Sequence, residues 1–336
     1  MNVLELFSGI GGMHYALKES KVPANIIEAV DINTVANKVY AHNFPNTKLC
    51  QSNVQAISSN YIDAREINLI LMSPPCQPFT RQGKRMDVDD ERCAALLHFI
   101  NLIPHLNEKL KYILLENVEG FQESQAHQCF IHILEKSGFH YKEFLLSPKD
   151  FGFPNSRLRY YLLARRKPLQ FTKDLSVQQL REEINCVPCI GDFLEIPDHS
   201  EQYNTYLLND EVLLKRARIL DIVTKKSQNS CCFTRAYSHF MEGTGSVYCP
   251  FEDHIIQQTY EKEKESSLDC NDEKLKLLRT LRLRFFTPRE VANLLCFPET
   301  FSFPNCLTLK QKYRLLGNSI NIKVVARLIQ LLVSEN

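Results

Sequence analysis

Apolar and polar positions follow one regime up to about residue 166, a second to about 284 and a third to the end. In the first, residues 3–7, 25–32, 67–72 and 111–118 are apolar runs of strand length. Residues 13–19, 34–43, 94–103 and 124–136 between and after them have helical period. Val35, Ala36, Val39 and Tyr40 share one face of the second of these, and Gly138 ends the last. Residues 139–147 and 157–166 read as two further strands joined by 148–156. Alternating strands and helices predict an α/β fold. From Phe171 the alternation breaks down, and residues 171–284 read as an irregular second unit with an exposed charged stretch at 261–276. Regularity returns at Thr287-Pro288-Arg289-Glu290, a capping box with proline at the first helical position, and again at Thr308 to Gln311. Val325, Leu328, Ile329 and Leu332 then form a core-facing stripe. This segment is expected to return to the first unit, making the second an insertion: 1–170, 171–284 and 285–336.

Candidate chemistry sits where strands end. Ser8-Gly9-Ile10-Gly11-Gly12 links the first strand to the first helix, as in a nucleotide-binding turn, although a tight turn that needs glycine explains it equally well. Asp31 ends the second strand about twenty residues further on, where a carboxylate can take the two hydroxyls of a ribose. It can equally serve as the acidic charge at the start of the next helix, and the two roles are compatible. Ser73-Pro74-Pro75-Cys76-Gln77-Pro78-Phe79-Thr80 follows the third apolar run. Adjacent prolines forbid helix and ladder alike, so the chain leaves the sheet as a stiff loop carrying a thiol, a candidate nucleophile. Residues 82–92 are polar and charged, a solvated loop or a flap over the site. Glu116 ends an apolar strand, which is costly without a partner or a task. Arg157 and Arg159 share a face by the period of two; alone they would be surface arginines of an edge strand.

Bulk properties narrow the classes. At 336 residues the chain can hold one large and one smaller unit. A net charge of +1 gives no global field for nucleic acid, so such binding must rest on local basic groups. Twelve irregularly spaced cysteines without a secretory signal predict reduced thiols in an intracellular protein; the expected location is the cytoplasm, with the nucleus as a second site. Cys186 and Cys189 form one CxxC without a second pair, so no metal is expected. No apolar run nears the ~20 residues of a membrane span, and no membrane partner is expected.

These residues, in this order, resemble the cytosine-5 methyltransferases. The resemblance rests on Phe7-Ser8-Gly9-Ile10-Gly11-Gly12, Pro75-Cys76-Gln77-Pro78-Phe79-Thr80, Glu116-Asn117-Val118, Arg157-Leu158-Arg159 and Gly317-Asn318-Ser319. Cys232-Phe233-Thr234 and residues 242–246 resemble signatures of the branch that acts on tRNA-aspartate. The resemblance implies a class I, Rossmann-like fold: a mostly parallel seven-stranded sheet with a small inserted target-recognition domain. It implies S-adenosylmethionine as cofactor, with S-adenosylhomocysteine as product. The cofactor would be held by Phe7, Ser8, Gly9, Ile10, Gly11, Gly12, Asp31, Ile32, Asn53, Val54, Gln55, Ser73, Pro75, Asn318 and Ser319. Cys76 would add to cytosine carbon 6, Glu116 would hold the ring at N3, and Arg157 and Arg159 would anchor the base carbonyl and a phosphate. Gln77, Phe79, Thr80 and Asn117 would touch the substrate. The expected partner is tRNA, with tRNA-Asp and its anticodon-loop cytosine (position 38 in that branch) as target, DNA as a weaker partner, and the protein a monomer. Three departures stand out: Asn53 where the family often has Asp, Asn155 where it often has Gln, and Thr80 where the DNA enzymes often have Ser. Three other readings remain at this stage: a DNA cytosine-5 methyltransferase, a catalytically silent nucleic-acid-binding relative and a nicotinamide dehydrogenase.

Overall fold

In the computed structural model, which describes residues 1–75, 93–171, 188–265 and 271–334, seven strands form one sheet. They are β1 (Asn2–Leu6), β2 (Asn25–Val30), β3 (Leu49–Cys50), β4 (Leu69–Met72), β5 (Tyr112–Val118), β6 (Phe139–Leu146) and β7 (Arg159–Arg166). Their order is β3-β2-β1-β4-β5-β7-β6. All neighbours as far as β5 pair in parallel, while β7 runs antiparallel to both β5 and β6. The α/β class and the mostly parallel seven-stranded sheet are as expected. β7, however, is not an edge strand: it lies inside the sheet and β6 forms the edge.

Both faces are covered, which is why the strands read as near-continuous apolar runs. β4 is Leu-Ile-Leu-Met with every residue fully buried. Leu4, Leu6, Ile70, Met72, Ile113 and Leu115 face the helices Ala94–Leu102 and Gln125–Lys136. Val3, Leu69, Leu71 and Leu114 face the opposite layer, built from helices Gly12–Ser20, Thr34–Asn43 and Ile322–Val333. On that second face Glu5 is fully buried and accepts a hydrogen bond from the Tyr40 hydroxyl at 2.7 Å.

The last helix returns to the first part of the chain. Val325, Leu328, Ile329 and Leu332 are all fully buried, and Gln330 donates to Ser20 O at 3.0 Å. Arg165 of β7 closes its end, donating to the carbonyls of Leu332, Leu331 and Ser334. Residues 309–333 are long and apolar enough for a bilayer, but 67% of their most apolar stretch is buried in the core. They form two helices, Leu309–Gly317 and Ile322–Val333.

Residues 171–284, read as irregular, contain more order than their sequence shows. A small sheet of order β10-β9-β8 joins β8 (Ile222–Val223), β9 (Val247–Tyr248) and β10 (Arg284–Phe285). The charged stretch contributes to helices Asp253–Glu265 and Asn271–Arg279, and it is not all exposed: Glu263 is buried between Arg218 and Lys274. β10 leads straight into the capping box of helix Pro288–Leu294. There the Glu290 carboxylate accepts from Arg284 Nη1 and Nη2 at 2.7 and 2.9 Å, from Thr287 N at 2.8 Å and from Glu195 N at 3.1 Å. Both charged side chains are fully buried, with the Arg284 guanidinium 5.0 and 4.7 Å from the Tyr203 and Tyr248 ring centres.

Candidate active site

The strand order reverses between β1 and β4, which opens a crevice beyond their carboxyl ends. A cleft of about 290 Å3 lies there. One wall consists of the segments that follow β1, β2 and β4. Phe7, Gly9 and Gly11 take left-handed conformations in the glycine loop, with φ of 54°, 54° and 85°. At Gly11 a Cβ would stand 2.4 Å from the Phe44 ring, so conformation and space both demand glycine. At Gly9 a Cβ would meet no atom within 4 Å; the residue presents bare backbone to the cleft. Gly11 is also the N-cap of helix Gly12–Ser20 and supplies no side-chain hydrogen bond, so the helix start offers N–H donors at the cleft floor.

Asp31 braces this wall. Its Oδ2 accepts from Gly9 N at 2.8 Å and its Oδ1 from Asn33 N at 2.7 Å. Burial raises its pKa, against the backbone donors of Asn33, Gly9 and Ile32 that favour the charge. Beside it Ile32 leaves 65% of its surface exposed, an apolar face on which a flat ring can lie. Ser73 Oγ donates to Phe7 O at 3.3 Å, tying the end of β4 to the glycine loop.

The facing wall is made of side chains. Glu116 on β5 is 7% exposed, and its Oε1 lies 3.5 Å from Arg159 Nε. Burial raises the Glu116 pKa and outweighs the opposing pull of Arg159 and Arg157, favouring the neutral acid. Arg159, at the start of β7, also donates to Leu158 O at 2.7 Å. Arg157 lies just before β7 and is 3% exposed. Its Nη1 donates to Phe233 O at 3.0 Å and to Cys232 Sγ at 3.4 Å. Its Nη2 donates to Gly317 O at 3.0 Å and to Ser319 O. All four terminal N–H groups are therefore engaged by protein. This overturns the surface reading of Arg157: its terminal nitrogens are spent on protein, and only the buried Nε has no hydrogen-bond partner.

The cleft gathers Phe7, Ser8, Gly9, Ile10, Gly12, Asp31, Ile32, Ser73, Pro75, Glu116, Arg157, Arg159, Asn318 and Ser319. Cys76, Gln77, Phe79 and Thr80 lie outside the described residues, as does Cys186 of the CxxC pair. Gly11 acts from behind the loop. Asn53, Val54 and Gln55 do not line the cleft; Asn53 caps the turn Val54–Ala56, accepting from Gln55 N at 3.1 Å. Asn117 is 1% exposed and its Oδ1 accepts from Val118 N at 2.8 Å, so it too lies off the lining.

The family model described as C-5 cytosine-specific DNA methylase matches residues 1–334. The chain belongs to that family. Among relatives of this C-5 cytosine methyltransferase, the Bos taurus protein named tRNA (cytosine(38)-C(5))-methyltransferase is 42% identical, with 99% of each chain covered. The protein of the same name from Schizosaccharomyces pombe is 40% identical, covering 99% of this chain and 97% of its own. A Dictyostelium discoideum relative, 36% identical and covering 100% of this chain and 95% of its own, is named DNA (cytosine-5)-methyltransferase. The crystal structure of a Spodoptera frugiperda DNMT2 mutant superposes with a TM-score of 0.87 at 40% identity, covering 99% of both chains.

One functional neighbour had no role assigned from the sequence. The Cys232 sulfur sits between Arg157 Nη1 and Arg159 Nη2, the latter at 3.7 Å. Burial opposes its ionisation, yet the two guanidiniums prevail and lower its pKa. Seventy-five residues separate it from Arg157, and no local pattern announces the pairing.

Proposed function

We propose that this methyltransferase transfers a methyl group from S-adenosylmethionine to carbon 5 of a cytosine in tRNA, with the anticodon-loop cytosine of tRNA-Asp as target. The observation that carries the reading is the cleft itself, in which a backbone-lined cradle faces Glu116 and Arg159 across about 290 Å3. The cradle suits the cofactor. The N–H groups at the helix start suit a carboxylate, Asp31 has lone pairs left for ribose hydroxyls, and exposed Ile32 suits a flat base. When bound, the cofactor supplies an electrophilic methyl on a sulfonium.

The chain's own residues make carbon 5 nucleophilic. The Cys76 thiolate adds to cytosine carbon 6, forming a C–S bond and moving electron density to carbon 5 and N3. Pro75, which precedes Cys76 in sequence, lines the cleft. Glu116, whose pKa burial raises, holds N3 and favours its protonation as negative charge builds there. Arg159 holds the base carbonyl. After methylation, loss of the carbon 5 proton to a base restores the double bond and expels the Cys76 sulfur. A cytosine in a loop reaches such a site at lower unstacking cost than one in a duplex. Residues 171–284 are the target-recognition part in this reading.

The test is methyl transfer from labelled cofactor to tRNA-Asp and, at equal concentration, to cytosine-rich duplex DNA. Preference for the tRNA is expected. The family description and the Dictyostelium relative's name favour DNA as a second reading. DNA methylated as fast or faster would replace tRNA by DNA and keep the cytosine chemistry.

A further inference from the structure

We propose that Arg157 is a positioning residue: with Cys232 and Gly317 it forms a clasp that locks the 232–234 loop against the cofactor-side turn 317–319 and thereby aims Arg159 at the substrate. The proposal rests on the cytosine-methyltransferase reading for what Arg159 does, but the clasp itself is geometric.

The two segments meet at unusually close range. A Cβ on Gly317 would lie 2.1 Å from the carbonyl carbon of Thr234 and 2.2 Å from Arg235 N. Only a glycine lets these two backbones touch. Arg157 spans the junction, with Nη1 on Phe233 O and Nη2 on the carbonyls of Gly317 and Ser319. Neighbouring residues fasten the same loop: Asn155 Nδ2 donates to Ser230 Oγ and Cys231 O, each at 3.1 Å, and Ser156 N donates to Ser230 O at 2.8 Å. Gly317, Asn318 and Ser319 line the cofactor cleft, so the clasp joins a target-side loop to the cofactor wall.

Cys232 connects the clasp to chemistry. Its sulfur accepts from Arg157 and from Arg159, whose Nε faces Glu116. The sulfur, whose ionisation the two guanidiniums favour, holds the Arg159 fork from behind. Arg157 therefore acts through Cys232 and Arg159 without touching the base.

The proposal predicts three results for Arg157→Lys, which keeps the charge and loses the fork. First, affinity for S-adenosylhomocysteine, measured by calorimetry, falls about tenfold. A residue that only contacts the base would leave it unchanged. Second, Gly317→Ala produces a similar loss, and the double variant is no worse than either single one, because both break the same junction. Third, alkylation of Cys232, followed by mass spectrometry as a function of pH, has its midpoint below the ordinary thiol value of about 8.5 in the wild type and moves up in Arg157→Lys. The third readout needs neither cofactor nor RNA, so it stands if the functional reading fails. Thermal unfolding identifies any variant that has lost its fold. Should Gly317→Ala not fold, Cys232→Ser takes its place in the cycle. Unchanged cofactor affinity in Arg157→Lys, strictly additive effects or an unmoved Cys232 midpoint would each overturn the clasp.

Discussion

The two walls of the cleft are built in opposite ways. The cofactor wall is local: residues 7–13, 31–36 and 73–75 are short segments that each follow a strand, and backbone groups do most of the presenting. The facing wall converges from Glu116, Arg159 and the 232–233 loop, with Arg157 tying it to the 317–319 turn of the cofactor side, and side chains do the work. A wall of backbone depends on a few conformations that glycine permits. A wall of converging side chains depends on remote packing, so it should fail more sharply when one group is removed.

The most severe test of that contrast is Cys76→Ala. Methyl transfer from labelled cofactor should fall by roughly 10^4-fold or more, as for loss of a nucleophile elsewhere. Calorimetry should find S-adenosylhomocysteine affinity within about twofold of wild type. Retained turnover would remove the covalent route.

Glu116→Gln should come next, with kcat down about 10^2- to 10^3-fold and the cofactor wall untouched. Burial, the larger influence, raises the Glu116 pKa, so the neutral donor is present at low pH and is lost as pH rises through that raised value. The wild-type kcat profile should therefore carry a descending limb on the alkaline side, and the glutamine variant should lack it. A limb that survives the substitution would assign it to another group.

On the opposite wall, Asp31→Ala removes the brace on Gly9 and Asn33 but leaves the glycines in place. Calorimetry should show S-adenosylhomocysteine affinity about tenfold weaker, roughly 1.4 kcal/mol, with kcat at saturating cofactor little changed. A collapse in kcat would mean that the two walls are less separable than their construction implies.

The mildest effect on turnover is expected from Glu5→Gln, beneath the glycine loop. Burial pushes the Glu5 carboxyl from 4.5 up to about 8, against the Tyr40 hydrogen bond. Folded Glu5 thus keeps a proton that the unfolded chain releases, and stability falls as pH rises from about 4.5 to about 8. Urea unfolding at the two ends of that range should show a loss on the order of a few kcal/mol in the wild type and a smaller one in Glu5→Gln.

The same contrast governs what could be read from the sequence. Strand, glycine loop and helix are consecutive, so residues 7–12 and Asp31 declared themselves. Glu116 did as well, because an acid at the end of an apolar strand is anomalous wherever it occurs. The family resemblance carried the seven-stranded fold. Strand order was less accessible: β7 lies between β5 and β6 by a non-local pairing that no local pattern in 157–166 announces. Arg157 was assigned to the substrate by likeness, whereas its side chain turns inward just before the strand begins and donates to carbonyls 76 and 160 residues away. Asn53 was assigned to the cofactor by likeness, but its amide caps the turn it introduces. Cys232 was visible as a signature and gained a role only when two arginines were seen beside it.

Glu290 sets a limit on how this scaffold can be re-engineered. Swapping the stretch 171–284 for that of a relative is an obvious way to exchange targets. Yet one carboxylate caps the helix of the acceptor scaffold while holding Arg284 and the Glu195 amide of the donor segment. A graft that ends at 284 without matching partners strands a fully buried charge, and breaking such a pair costs about 3–5 kcal/mol. The transferable cassette must carry residues 195, 284 and 287–290 together, and its boundary belongs beyond the capping box.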